Sequence, residues 1–453
     1  MSKIPTYQGF VWRWVVLAWL SVFAAPMGVG AKVVFVSPTG DDKAEGTILH
    51  PLASLPEAHA RIQSGDTVYF RGGTYHVDDA QIMRVNRNYC LVFSLTKGGS
   101  SSGHTCFMGY PGERPVFDFS ALYYDGLHRF AAFSLDADYL HLRNFEIVGV
   151  PVRVKGHTQS ECVSAAYGSH CIIENLAMHD GMAIGYYQKH GSDNLVINCD
   201  AFNNYDDFSE GEYGGNVDGF GFHLNETSET GNRIQGCRAW RNSDDGFDLI
   251  NCNTSVEISH CWAFFNGFKP TPDKCDTLTF ERAGDGNGFK AGGWGMGRYA
   301  SRCPEICPEH RILNSMAYRN KANGFYANHH LAGCVWKNNT AWANSSNFNM
   351  VNRKSRGEAV DVPGYGHVLQ DNLSYEFANK KNGGHLVMCD AEKSSLKNNS
   401  FQPDGSNVQL HPSSFVSLVL AELFVERDAE GNLPPVGLLH LNTQSGLPSN
   451  MGW

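Results

Sequence analysis

Four aspartates and one lysine have the types and spacing to do chemistry together. Asn242-Ser243-Asp244-Asp245-Gly246-Phe247-Asp248 holds three carboxylates close together, and Asn287-Gly288-Phe289-Lys290 repeats the polar-Gly-Phe frame with a lysine behind it. The frame recurs as Asp180-Gly181-Met182-Ala183, Asp218-Gly219-Phe220-Gly221 and Asn323-Gly324-Phe325-Tyr326. If it marks one place on successive coils of a solenoid, Asp218 stacks over Asp245 and Asp248 over Lys290, with strands about 4.8 Å apart. Asp218, Asp244, Asp245 and Asp248 then converge on one patch beside Lys290.

Several carboxylate oxygens closing on one point suit Ca²⁺, which takes about six to eight oxygen ligands. Packed carboxylates repel one another, and a cation offsets that repulsion. The plainer alternative is an ordinary solvated Asp-Gly turn, with Lys290 a structural ion-pair partner of Asp248. Beside a bound divalent ion, however, an ammonium is disfavoured, and a neutral amine can serve as a general base. Such a pair suits removal of a proton α to a carboxylate. In a uronic-acid polymer that proton is on C5, and loss of the C4 oxygen leaves an unsaturated sugar. Gly288, Gly292 and Gly293 flank Lys290 and leave room for a ligand near the backbone.

The elements that must position these residues are repeats. Small residues at Cys199, Cys237, Cys261 and Ser315 are each followed two residues later by Ala, then by an aromatic or Met, and three residues after the Ala by Asn. The shortest period is 24 residues, as from Cys237 to Cys261, and gaps of 38 and 54 residues hold insertions. A unit of this length with short strands and no helix is one coil of a parallel β-helix, in which the recurring Asn forms a turn ladder. The units lack the several Leu of a leucine-rich repeat and are shorter than propeller blades. The fold expected is all-β: a single-stranded, right-handed parallel β-helix over residues 32–453. Val33 to Val36 and Thr67 to Phe70 read as strands, and Ser54 to Gln63 as a short capping helix. Residues 405–453 lose the pattern and are expected to cover the C-terminal end.

Lys3 and Arg13, the apolar run Trp14 to Ala25 and the small residues Val29-Gly30-Ala31 read as a signal peptide over residues 1–31. Export is therefore expected, with no span in the mature chain. Thirteen cysteines in an exported chain suggest disulfides. The repeated Cys199, Cys237 and Cys261 equally fit an inward stack of small apolar groups. The formal charge of −10 disfavours nucleic acid as a partner. It also disfavours a polyanionic sugar unless a bound cation reverses the local sign.

The runs Asn216 to Phe220, Asn242 to Leu249 and Gly286 to Gly293, with Gly65 to Tyr75 near the N-terminus, resemble the family 9 polysaccharide lyases, the pectate lyases of the parallel β-helix type. The resemblance implies Ca²⁺ on Asp218, Asp244, Asp245 and Asp248, with Lys290 as Brønsted base. It departs from the family at Gly221-Phe222-His223-Leu224 and in the insertion from Lys269 to Gly286, both of which bear on substrate. Asp206-Asp207 are secondary ligand candidates, and His329, His330, Arg353 and Lys354 are candidates to hold substrate carboxylates. The partner expected is an acidic polysaccharide, and the chain is expected to act as a monomer. Two rivals are a polygalacturonase-like hydrolase, whose Gly-His-Gly signature is missing, and a secreted carbohydrate-binding solenoid without catalysis.

Overall fold

The computed structural model describes residues 30–124, 128–156, 158–209, 214–270, 281–294, 301–428 and 430–453. Residues 1–29 of the expected signal peptide lie outside them, as does Cys275. Among the described residues no helix is long and apolar enough to cross a membrane.

Three long sheets of twelve, ten and eleven strands share one interior. Each coil contributes one strand to each sheet, as with Arg233–Gln235, Arg238–Trp240 and Phe247–Asp248. Pairing along the sheets is parallel, except where Arg84–Val85 meets Tyr89–Leu95. This is the expected parallel β-helix. The corner between the first two strands of a coil needs a left-handed residue, and Asn175, Asn198, His260 and Asn314 take it with φ of 47 to 55°. Asn tolerates that conformation at low cost. At the N-terminal end a helix, Leu55–Arg61, is capped by Ser54 and buries Leu55 and Ala58.

Two internal ladders hold the coils in register. Asn204, Asn242, Asn266, Asn320 and Asn344 pass amide hydrogen bonds from each coil to the next, at 2.9 to 3.3 Å. Beneath the third sheet Phe220, Phe247, Phe289, Phe325 and Phe348 stack with centroids 4.8 to 5.1 Å apart. The glycine of the repeated frame is the contact between these ladders. A Cβ on Gly246 would stand 2.7 Å from the Gly288 carbonyl and 3.0 Å from the Asn266 amide nitrogen, and a Cβ on Gly288 would meet Gly324 and Asn320 in the same way. Gly292 and Gly293 are also packing glycines: a Cβ would strike the His330 ring or the Asn328 carbonyl oxygen. The room expected there for a ligand is filled by the next coil.

One member of the frame is out of step. Tyr186 pairs with Phe220 and Tyr187 with Gly221, so Ile184-Gly185-Tyr186-Tyr187 occupies the frame position, and Asp180-Gly181-Met182-Ala183 precedes it. A Cβ on Gly185 would collide with the Gly219 carbonyl oxygen, the same contact the other frame glycines make.

Among the described residues all twelve cysteines are free. Cys199, Cys237 and Cys261 line up inside the coil, fully buried, with Cys199 N–H donating to the Cys237 sulfur at 3.3 Å. Cys303 and Cys307 share a hydrogen bond at 3.4 Å between sulfurs and no disulfide. The C-terminal segment, expected over the end, packs along the side of the coils. It runs back along the outer face of the second sheet, where Phe415, Leu423, Leu438 and Met451 bury the aromatic column of Trp240, Phe264 and Tyr318. Arg427 and Arg238 clamp the buried Asp200 at 2.6 and 2.7 Å.

Asn320 both donates to the Ala263 carbonyl and Asn344 and accepts from Asn266. Asn320→Ala strands these buried partners, and the expected loss is about 1–3 kcal/mol, read as a lower denaturation midpoint in urea. An unchanged midpoint would mean the ladder contributes little to holding the coils.

Candidate active site

The third sheet carries the site on its outer face. Successive strands align Tyr187, Gly221, Asp248, Lys290 and Tyr326 in one column. Because the inward neighbours are the stacked phenylalanines, these side chains must point outward. Asp218, Asp244 and Asp245 enter from the turns just before the strands, and a ligand oxygen from each lies within 4.8 Å of the others. Asp248 is set beside this group of three, next to Lys290. All five residues are buried, Asp245 completely.

Backbone N–H groups fix each carboxylate. Asp245 N–H donates to Asp218 Oδ1 at 3.0 Å, Asn216 N–H to Asp244 Oδ2 at 2.7 Å and Ile250 N–H to Asp248 Oδ1 at 2.8 Å. Asn287 donates its backbone N–H and its side-chain amide to Asp245 Oδ1. The opposite oxygens of Asp245 and Asp248 turn toward Lys290, whose Nζ lies 3.0 Å from Asp245 Oδ2, 3.3 Å from Asp248 Oδ2 and 3.7 Å from Oδ2 of the exposed Asp285, while the other oxygen of Asp244 accepts from Asp285 N–H. Asp245 Oδ2 is close enough to Lys290 to pair as a charge, but it is buried without a hydrogen bond of good geometry.

The electrostatics follow from crowding. Burial, then the neighbouring carboxylates Asp244, Asp248 and Asp245, push Asp218 well above the usual carboxylate range. Burial and then Asp245 raise Asp244 to about 7. Burial would raise Asp248 too, but Lys290 and His223 outweigh it and bring it down to about 2. Burial disfavours the Lys290 ammonium, yet Asp245 and Asp248 hold its pKa well above the ordinary value. A single ammonium thus faces four buried carboxylates. The orphaned Asp245 oxygen and an all-carboxylate donor set fit a hard divalent cation.

A cleft of about 900 Å³ opens over the column, lined among others by Arg129, Lys189, Tyr187, His223 and Arg302. From the strand that begins at Arg129 to that of Lys290 it crosses five strand steps, about 24 Å. The end of the 269–286 insertion, Glu281 to Asp285, also lines it, while residues 271–280 lie outside the described residues.

The other sequence candidates sit elsewhere. Asp206 caps its own turn by accepting from Phe208 and Ser209 N–H, and Asp207 is exposed. His329 Nδ1 meets Asp361 at 2.7 Å and its Nε2 meets the Tyr326 hydroxyl at 2.9 Å, next to the column but off the cleft lining. His330 is buried and hydrogen-bonded to the Pro308 carbonyl. Lys354 pairs with Glu358 at 2.9 Å, on the hairpin it shares with Arg353, and neither lines the cleft. Tyr187, Lys189 and Arg129 are absent from the sequence candidates, and His223 enters there only within the departure at Gly221-Phe222-His223-Leu224. The signal that could have found the first was the glycine of Gly185-Tyr186-Tyr187, which aligns with Gly219.

Residues 34–372 match the model of a family described as the Pel9A-like right-handed β-helix region. The chain is 30% identical to the pectate lyase L of Dickeya dadantii strain 3937 over 422 residues, covering 93% of this chain and 86% of that protein. It is 30% identical to the pectate lyase PEL9 of Emericella nidulans over 446 residues, covering 92% and 94%. A solved structure of a rhamnogalacturonan lyase is similar with a TM-score of 0.85 and 41% identity, covering 93% of this chain and 99% of that one. The crystal structure of the pectate lyase Pel9A has a TM-score of 0.68 and 28% identity, with 92% and 90% covered.

Removing the ammonium tests the charge balance. In Lys290→Met the pKa of Asp245, already raised by burial, rises further and that of Asp248 climbs above its unfolded value, so stability is lost as pH increases. The metal-free variant should be less stable than the parent at pH 8, by roughly 3–5 kcal/mol, with a smaller deficit at pH 5, as read by chemical denaturation. Equal deficits at the two pH values would show that the carboxylates do not depend on Lys290.

Proposed function

This chain belongs to the Pel9A-like right-handed β-helix family and is a polysaccharide lyase, and from that membership we propose that it is exported and cleaves a polyuronate by Ca²⁺-assisted β-elimination. The observation that carries the reading is the convergence of one buried lysine with four buried aspartates from successive coils. Asp218, Asp244, Asp245 and Asp248 would hold the ion. Bound there, Ca²⁺ would neutralise the carboxylates and stabilise negative charge on the substrate's own carboxylate.

Lys290 is the base. With the aspartates occupied, its amine no longer answers four negative charges, and its burial favours the neutral form. It takes the proton from C5 of the uronate, the electron pair left on C5 forms the C4–C5 double bond, and the C4–oxygen bond breaks with its pair leaving on the oxygen, which takes a proton from solvent. The stacked Phe247 and Phe289 beneath Asp248 and Lys290 keep the amine in place. Tyr326, next in the column, flanks the lysine on the far side, and its hydroxyl, raised to about 12 by burial, stays protonated.

The relatives bear the names of two substrates. Polygalacturonate is the reading that the pectate lyases favour. A polymer in which galacturonate alternates with rhamnose is the second, favoured by the similarity to the rhamnogalacturonan lyase. Both present the same acidic C5 proton and a C4-linked leaving oxygen.

Both polymers should be assayed with and without Ca²⁺ by ultraviolet absorbance of the unsaturated product. At least one should yield product, abolished by chelator and restored by Ca²⁺. Reducing ends without that absorbance would point to hydrolysis. Lys290→Ala should keep Ca²⁺ binding and lose about 10²–10⁴ in kcat, the contribution of a general base. Substantial remaining turnover would exclude it as the base.

A further inference from the structure

The Asp cluster and a net charge of −10 should repel an acidic polymer, so the cleft needs cations elsewhere to hold one. At its N-terminal side two of them stand unspent. Lys189 follows the strand Ile184–Gln188, two strand steps from Asp248, and its Nζ sits 4.9 and 5.4 Å from the ring centroids of Tyr187 and Tyr89. The Arg129 guanidinium lies 5.7 Å from the Tyr89 ring. The Tyr89 hydroxyl donates to the buried Glu161 at 2.8 Å and accepts from both Lys189 and Arg129 at 3.4 Å. Neither cation forms an ion pair among the described residues, and both residues line the cleft.

The same stretch of cleft wall holds unsatisfied polar atoms. Thr158 Oγ1 and His223 Nε2 are buried and without a hydrogen-bond partner, the latter 3.8 Å from Asp248 Oδ2, and both residues line the cleft. His223 is held by its other nitrogen, 2.9 Å from the Tyr187 hydroxyl. Tyr187 reaches His223 across Gly221, where a Cβ would come within 2.9 Å of the tyrosine ring. Buried polar atoms in a folded protein nearly always have partners, and a sugar's hydroxyls would supply them.

We propose that Lys189, Arg129, Thr158 and His223 form a second-uronate subsite, in which the two cations bind the carboxylate of a sugar lying along the coil axis from the cleavage point. The proposal rests on the polyuronate reading and adds that recognition extends toward the N-terminal coils. The subsite selects for free acid over methyl ester. It binds substrate and takes no part in proton transfer.

Affinity electrophoresis tests it in gels containing polygalacturonate, rhamnogalacturonan or highly methyl-esterified polygalacturonate, with Ca²⁺ present. Lys290→Ala is the parent, so that the polymer survives the run. Adding Lys189→Met, which keeps the apolar stem between the two rings, or Arg129→Gln should weaken retardation by an acidic polymer about tenfold each, the loss of a charge-assisted contact. Retardation by the ester should not change. Equal retardation of parent and variants, an equal loss on the ester, or no retardation of the parent by either acidic polymer would overturn the subsite. Product formation by the unaltered chain is recorded in parallel. No product together with lost retardation would overturn the cleavage reading and leave the subsite standing, while product with unchanged retardation would do the reverse.

Discussion

Parallel register, with each coil laid over the last, is the constraint on which the molecule depends. Asp218, Asp248 and Lys290 are far apart in the chain, and only stacking brings them to one place. The register is set from inside. Asparagine amides join the coils at the turn, and flat phenylalanine stacks join them under the third sheet. Between the two the frame glycines leave no space for a side chain. A slip of one residue would turn Lys290 inward and Phe289 outward, so the packing of the core and the composition of the site are specified together.

That arrangement concentrates negative charge where water cannot screen it. Backbone donors orient every aspartate and one lysine answers them, and Asp244 is still left with a pKa of about 7. Structural ion pairs seldom leave a buried carboxylate oxygen without a good hydrogen bond, as Asp245 does here. Perturbed groups gathered in a cleft mark functional sites. The same field that suits the cluster to a cation makes it hostile to a polyanion, a repulsion that the cations of the proposed subsite would offset.

Much of this was legible in the sequence because it repeats. The 24-residue spacing and the recurring Asn imply coils and a turn ladder, and the Phe-Asp and Phe-Lys pairs imply which residues face out. Legibility failed where the repeat is disguised. Ile184-Gly185-Tyr186-Tyr187 begins on an apolar residue and has no Phe, so the Asp-Gly of Asp180-Gly181 draws the alignment to the wrong place and hides Tyr187. Gly292 and Gly293 suggested space for a ligand, but a glycine also marks the close approach of another backbone or ring, here from the following coil. The outward aromatic column of Trp240 and Phe264 could be read from the repeats. The C-terminal segment that covers it could not, because contacts across about two hundred residues leave no local periodicity.

On the proposed mechanism the aspartate cluster exchanges protons for a divalent cation and so frees the amine of Lys290. Calorimetric titration of Ca²⁺ into the protein at pH 7, in two buffers of different ionisation enthalpy, counts the protons exchanged. Saturable binding with release of on the order of one proton per ion is expected, because the ligands must bind deprotonated. Binding without proton release, or no binding at all, would contradict it.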